Sequence, residues 1–166
     1  ECLPEVIQES ALDNEHPYLA EVAGIERILH QVARKRAASL NVNSLSALGE
    51  VDLSKIYLRP SPSLQLYQSQ YAVDQIWHLH QSEVEPDVLF NLLNDQPEPR
   101  FYLLYQKDHQ PCIRKVEATE YAWVSGLLRG HHLDFLLDTN SELNFPAWLS
   151  RAIEEQWLEG LIIETD

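Results

Sequence analysis

The sequence predicts an α+β fold, in which a helical N-terminal segment precedes a small antiparallel sheet packed on a winged-helix-like three-helix bundle. Three observations carry that expectation. Apolar residues recur at helical spacing near the start, short β-rich runs follow in pairs, and three segments with helix start and stop signals close the chain. Residues 1–50 read as the helical segment, the end of a helical N-terminal domain, and 51–166 as the mixed domain.

Each element has its own signal. Pro4 and Pro17 stand where helices start, and from Pro17 the set Leu19, Val22, Ile25, Ile28, Leu29 and Val32 lines one helical face. Arg34, Lys35 and Arg36 close that helix, where cations complement the negative end of its dipole. This basic run reads first as a helix terminus and second as a docking patch. NVNSLSALGE (41–50) is a connector by composition. KIYLRP (55–60) and LQLYQSQY (64–71) read as strands split by Pro60-Ser61-Pro62. VDQIWHLHQ (73–81) is a short helix burying Ile76 and Trp77, and PDVLFNLLND (86–95) is another. FYLLYQ (101–106) and CIRKVEA (112–118) flank the polar turn KDHQP as hairpin strands. Thr119 then caps a helix ending at Gly130, HHLDFLLDT (131–139) forms a second, and Pro146 opens a third, PAWLSRAIEEQWL.

Charge narrows the function. The formal net charge is −14, and residues 101–166 carry five Lys or Arg against eleven Asp or Glu. A DNA reader needs cations to neutralise phosphates, and its third helix meets base edges. Here that helix offers Arg151 followed by Glu154, Glu155 and Glu159. Nucleic acid and anionic membrane are therefore unfavoured partners. No apolar run approaches the roughly 20 residues that span a bilayer, and the two cysteines, Cys2 and Cys112, are too few for a disulfide framework. A cytoplasmic location is expected. The chain begins at Glu1, so an upstream segment is expected to be missing.

Chemistry is sparse. His78 and His80 point to opposite sides of a helix, and His131-His132 lacks separated partner ligands, so no metal or other cofactor is expected. There is no nucleophile elbow and no glycine-rich phosphate loop. The expectation is a protein that is not an enzyme. Trp148 and Trp157 read first as core, with a groove wall as the second reading.

Three segments together resemble a known family. PYLAEVAGIERILHQV (17–32), LRPSPSLQLYQSQYAVDQIWHLHQ (58–81) and FYLLYQKDHQPCIRKVEATEYAWVSGLLRGHHLDFLL (101–137) are similar to the HvfC/BufC family, whose members are described as DNA-binding domains. The order strand, strand, helix to Gly130, short helix, longer helix, then Glu159-Gly160-Leu161-Ile162 resembles the PqqD-like recognition elements of ribosomal peptide pathways. The resemblance implies a partner protein that holds the leader of a precursor peptide and forms a heterodimer with a multinuclear iron oxidase acting on the peptide's cysteines. The alternative it implies is a transcription-regulator-type DNA binder.

An exposed strand can accept a peptide as an added strand. The expected edge is Cys112, Ile113, Arg114, Lys115 and Val116, facing a wall made by the outward side of the third helix, Trp148, Arg151 and Glu155. The competing expectation is that strands within 55–72 cover this edge. Because such contact is mostly backbone, Arg114→Pro is expected to weaken binding more than Ile113→Ala.

Overall fold

A computed structural model of the chain describes residues 18–80 and 98–164, without the His80 side chain. The helix expected at 86–95, the two helix-starting prolines and Cys2 lie outside the described residues. Within them the fold is α+β. Helix α1 (Tyr18–Ala33) is followed by 3-10 turns at Val42–Gly49 and Leu53–Lys55, where the sequence promised only a connector. Then come β1 (Ile56–Pro60), β2 (Gln65–Ser69), α2 (Val73–His80), β3 (Arg100–Lys107) and β4 (Gln110–Val116). Helices α3 (Ala118–Leu128), α4 (Leu133–Thr139) and α5 (Phe145–Glu154) precede a last strand, β5 (Leu158–Ile163).

The strands form two antiparallel sheets, β2-β3-β4 with β3 in the middle and a separate pair β1-β5. The two strands expected within 55–71 are present, but they belong to different sheets. The corner between them is built from Ser61 and Ser63, both buried, whose hydroxyls lie 2.9 Å apart. Ser63 Oγ also accepts the Gln106 N–H at 3.1 Å. These bonds satisfy polar groups that a buried chain crossing would otherwise strand.

Strand β3 decides the layering. Its side chains alternate, and Tyr102 and Leu104 pack with Val22, Ile25, Leu29 and Val32 of α1 and with Val73 and Ile76 of α2. Leu103 and Tyr105 face the other way, toward Trp123, Leu127, Leu136, Trp148 and Trp157, with Ile56, Leu58, Leu158 and Leu161 from the small sheet. Burial on both faces explains why FYLLYQ shows no polar alternation. Helix α1 therefore lies directly on the sheet whose far side carries α3–α5. Its close approach depends on Gly24, where a Cβ would come within 2.9 Å of the Tyr67 hydroxyl.

Two helix boundaries differ from expectation. Thr119 is not the cap of α3; Glu117 holds that position without a side-chain bond, and Thr119 sits in the first turn. Gly130, at φ +77°, follows the C-terminal end as expected. Helix α5 starts under an Asn144 cap that accepts the Ala147 N–H at 3.2 Å, but it stops at Glu154 instead of running to Leu158. Gln156 turns to φ +61°, Trp157 enters the core, and Leu158 begins β5. The run EEQWL has good helix propensity. Pairing with β1, in the register Tyr57↔Ile162 and Leu58↔Leu161, overrides it.

Candidate functional site

The open edge follows from one turn. Asp108 (φ 49°) and His109 (φ 65°) are both left-handed, and Lys107 pairs with Gln110, which defines a two-residue type I′ hairpin. The pair flanking such a turn is hydrogen-bonded, and bonded and non-bonded pairs alternate from there. Tyr105↔Cys112, Leu103↔Arg114 and Phe101↔Val116 are thus the bonded pairs. The backbone groups of Pro111, Ile113 and Lys115 point away from β3. Two facts agree with this register: the Gln106 N–H turns from β4 to reach Ser63, and proline, which has no N–H, occupies an outward position.

On that outward side no strand pairs with β4 among the described residues. The expected covering by 55–72 does not occur, because β2 lies on the opposite side of β3 and β1 pairs with β5. The register also corrects the expectation for Arg114→Pro. The Arg114 N–H bonds inward to Leu103, so proline there would damage the protein's own ladder, whereas Ile113 and Lys115 hold the outward donors.

Side chains divide the expected site into two flanks and a core. Cys112 and Arg114 share a flank with the C-terminal end of α5. The Arg114 guanidinium lies 5.9 Å from the centre of the Trp157 ring, and Arg151 lies 5.8 Å from the same centre. Both distances fall in the cation–π range. Arg151 also donates to buried Glu120 at 2.6 Å. Glu155 accepts the Tyr105 hydroxyl at 2.6 Å and Lys107 Nζ at 3.1 Å. The Tyr105 bond, helped by Lys107, holds the Glu155 carboxyl below its ordinary pKa, and the bond to Glu155 raises that of Lys107. Burial pushes the Tyr105 hydroxyl and the Cys112 thiol upward.

Ile113 and Lys115 lie on the opposite flank, with Ile113 against the α1 core. Val116 is buried. Trp148 is not an outward wall: it is 1% exposed and packs on Trp123 at 5.3 Å and near Trp157 at 6.3 Å. Helical spacing gives the reason. Trp148 and Ala152, four apart, form the inward stripe of α5, while Arg151 and Glu155, also four apart, fall on its flank. Sequence reasoning missed Tyr105, Lys107 and Glu120 as site neighbours. Their only local signal was polarity at the ends of apolar runs.

Other candidates resolve differently. Arg36 and Arg59 both bind Glu159, whose side chain is 5% exposed, so Arg36 ties the chain after α1 to β5. Arg34 and Lys35 are exposed. His132 bonds Asp134 and caps α4. Among the described residues no three His, Cys, Asp or Glu side chains gather to hold a metal. No described helix is long and apolar enough to cross a membrane. Two depressions lie elsewhere, along α3 and α4: one of about 490 Å³ lined in part by Tyr121, Arg129, His131 and Phe135, and one of about 420 Å³ lined in part by Thr119 and Asn140. Comparisons with protein-family models, with curated proteins and with solved structures find no match.

Proposed function

We propose that this chain is a non-catalytic peptide-recognition protein that accepts an extended segment as an added strand on β4. The observation that carries the reading is the outward row of Pro111, Ile113 and Lys115, which has no strand beside it among the described residues. Backbone hydrogen bonds along such a row supply affinity, and alternate side chains supply selectivity. The order of a three-stranded antiparallel sheet followed by α3, α4 and α5 supports the recognition-element likeness and a winged-helix-like packing. By that likeness the segment is the leader of a ribosomally made precursor peptide, held for a multinuclear iron oxidase. A labelled leader peptide, chosen from a short cysteine-bearing open reading frame beside the gene, should bind the full chain saturably in fluorescence anisotropy. Binding unchanged by Lys115→Pro would move the site off this edge.

One observation favours the DNA reading. Strand β5 follows the third helix, the chain position of a wing. The electrostatics oppose it, because α5 offers Arg151, already bonded to Glu120, beside Glu154 and Glu155. Retention on duplex DNA that falls steeply with salt would revive it.

A further inference from the structure

The cations of this acidic chain fall into two classes. Arg36, Arg59, Lys107 and Arg151 each sit within salt-bridge distance of a carboxylate. Among the described residues Arg27, Arg34, Lys35, Arg129, Arg114 and Lys115 have no such partner, although Arg114 contributes to holding Glu155 ionised. Of these, Arg114 and Lys115 stand on β4, next to each other, and so face opposite flanks of the open edge. The strand itself, QPCIRKV, contains no carboxylate. On a chain of net charge −14, an edge strand with two adjacent unpaired cations is a local reversal of sign.

Geometry makes Arg114 the more selective of the two. Outward backbone bonds come from Ile113 and Lys115, so a strand added here would meet Arg114 in a non-hydrogen-bonded pair. Side chains approach most closely in such pairs, with Cα atoms about 4.5 Å apart. The Trp157 ring already sits beside the guanidinium, which limits the conformational freedom lost on pairing. Ile113 offers an apolar surface to the residue opposite it. We infer that the edge selects an acidic extended peptide in which two adjacent carboxylate residues, set opposite Arg114 and Lys115, follow or precede an aliphatic residue set opposite Ile113. This rests on the strand-addition reading above and names the chemistry of its ligand.

The test uses the full chain and three labelled peptides that read alike in either direction: Ser-Val-Leu-Glu-Glu-Leu-Val-Ser, its Gln-Gln form and its Lys-Lys form. Two exposed ion pairs together should make the Glu-Glu peptide bind about two- to thirtyfold more tightly than Gln-Gln, and Lys-Lys most weakly. In the Arg114→Glu/Lys115→Glu variant, with its circular dichroism spectrum unchanged, the preference should invert toward Lys-Lys. If that variant unfolds, Lys115→Gln alone should halve the discrimination on a logarithmic scale. Equal affinity for all three peptides would overturn the acidic selection while leaving strand addition standing. Binding of none of them would overturn both. Tighter binding of Lys-Lys to the unaltered chain would also contradict the inference.

Discussion

The outer sides of β5 and β4 are both sheet edges, and the described residues treat them oppositely. Beside β5, residues 41–44 close the edge. Asn41 donates its N–H to the Glu159 carbonyl at 2.9 Å, and the Leu161 N–H reaches Ser44 Oγ at 2.9 Å. The Glu159 side chain adds ion pairs to Arg36 and Arg59. Beside β4, the described residues supply no such cover, and the edge carries Pro111, Arg114 and Lys115. An uncovered edge invites unwanted pairing, which proteins suppress with proline and charge. The contrast teaches that edge closure was within reach of this chain. On β4, proline and charge limit which strand can pair, which suits the proposed recognition of a peptide.

The largest effect should come from the core behind both edges. Trp148→Ala should cost about 3–5 kcal/mol in denaturant unfolding, and so report on folding instead of on peptide contact. A loss below about 1 kcal/mol would return Trp148 to the groove wall. Next, Gly160→Ala should break the closed edge. At φ +134° a side chain is strained, and its Cβ would lie 2.5 Å from Ser44 Oγ and 3.3 Å from the Asn41 carbonyl. About 3 kcal/mol of stability should be lost, with little change in peptide affinity if β4 folds normally.

A proline pair sharpens the open side. Arg114→Pro removes a donor bonded to Leu103 and should cost about 2 kcal/mol of stability. Lys115→Pro removes an outward donor, as at Pro111, and should cost less than about 1 kcal/mol while weakening peptide binding. The reverse ranking would shift the hairpin register by one residue. The smallest effect concerns Glu155. Its folded-state pKa is depressed, so its contribution to stability is present above the ordinary carboxylate pKa and is lost as pH falls through the lowered value. Glu155→Gln should therefore flatten the stability profile on the acid side of the ordinary carboxylate pKa. An unchanged slope there would show that the Tyr105 and Lys107 bonds do not persist in solution.

Much of this contrast was legible in the residues, but unevenly. The hairpin 101–118 announced itself through apolar runs around a polar turn, although Pro111, read as part of that turn, lies in β4 opposite Gln106. The α1 face was equally clear, since Val22, Ile25, Leu29 and Val32 keep helical spacing. The second edge was not legible. Strand β5 pairs with residues about a hundred positions earlier, and the run leading into it, with its Glu, Gln and Trp, reads as continued helix. Its cover comes from Asn41 and Ser44, in a stretch whose composition says only connector. The flank of the site was half visible: Arg114, Arg151 and Glu155 were identified by charge. The Trp157 ring that draws the two arginines together depends on the left-handed Gln156, which no local pattern signals.

Amide hydrogen exchange across β4 tests the central claim most directly. In the unbound full chain, the Ile113 and Lys115 amides should exchange freely, while those of Cys112, Arg114 and Val116 are protected by β3. Saturation with the Glu-Glu peptide should protect Ile113 and Lys115 and leave the other three unchanged. Protection of Ile113 and Lys115 before any peptide is added would show that the edge is already occupied, and would contradict the account.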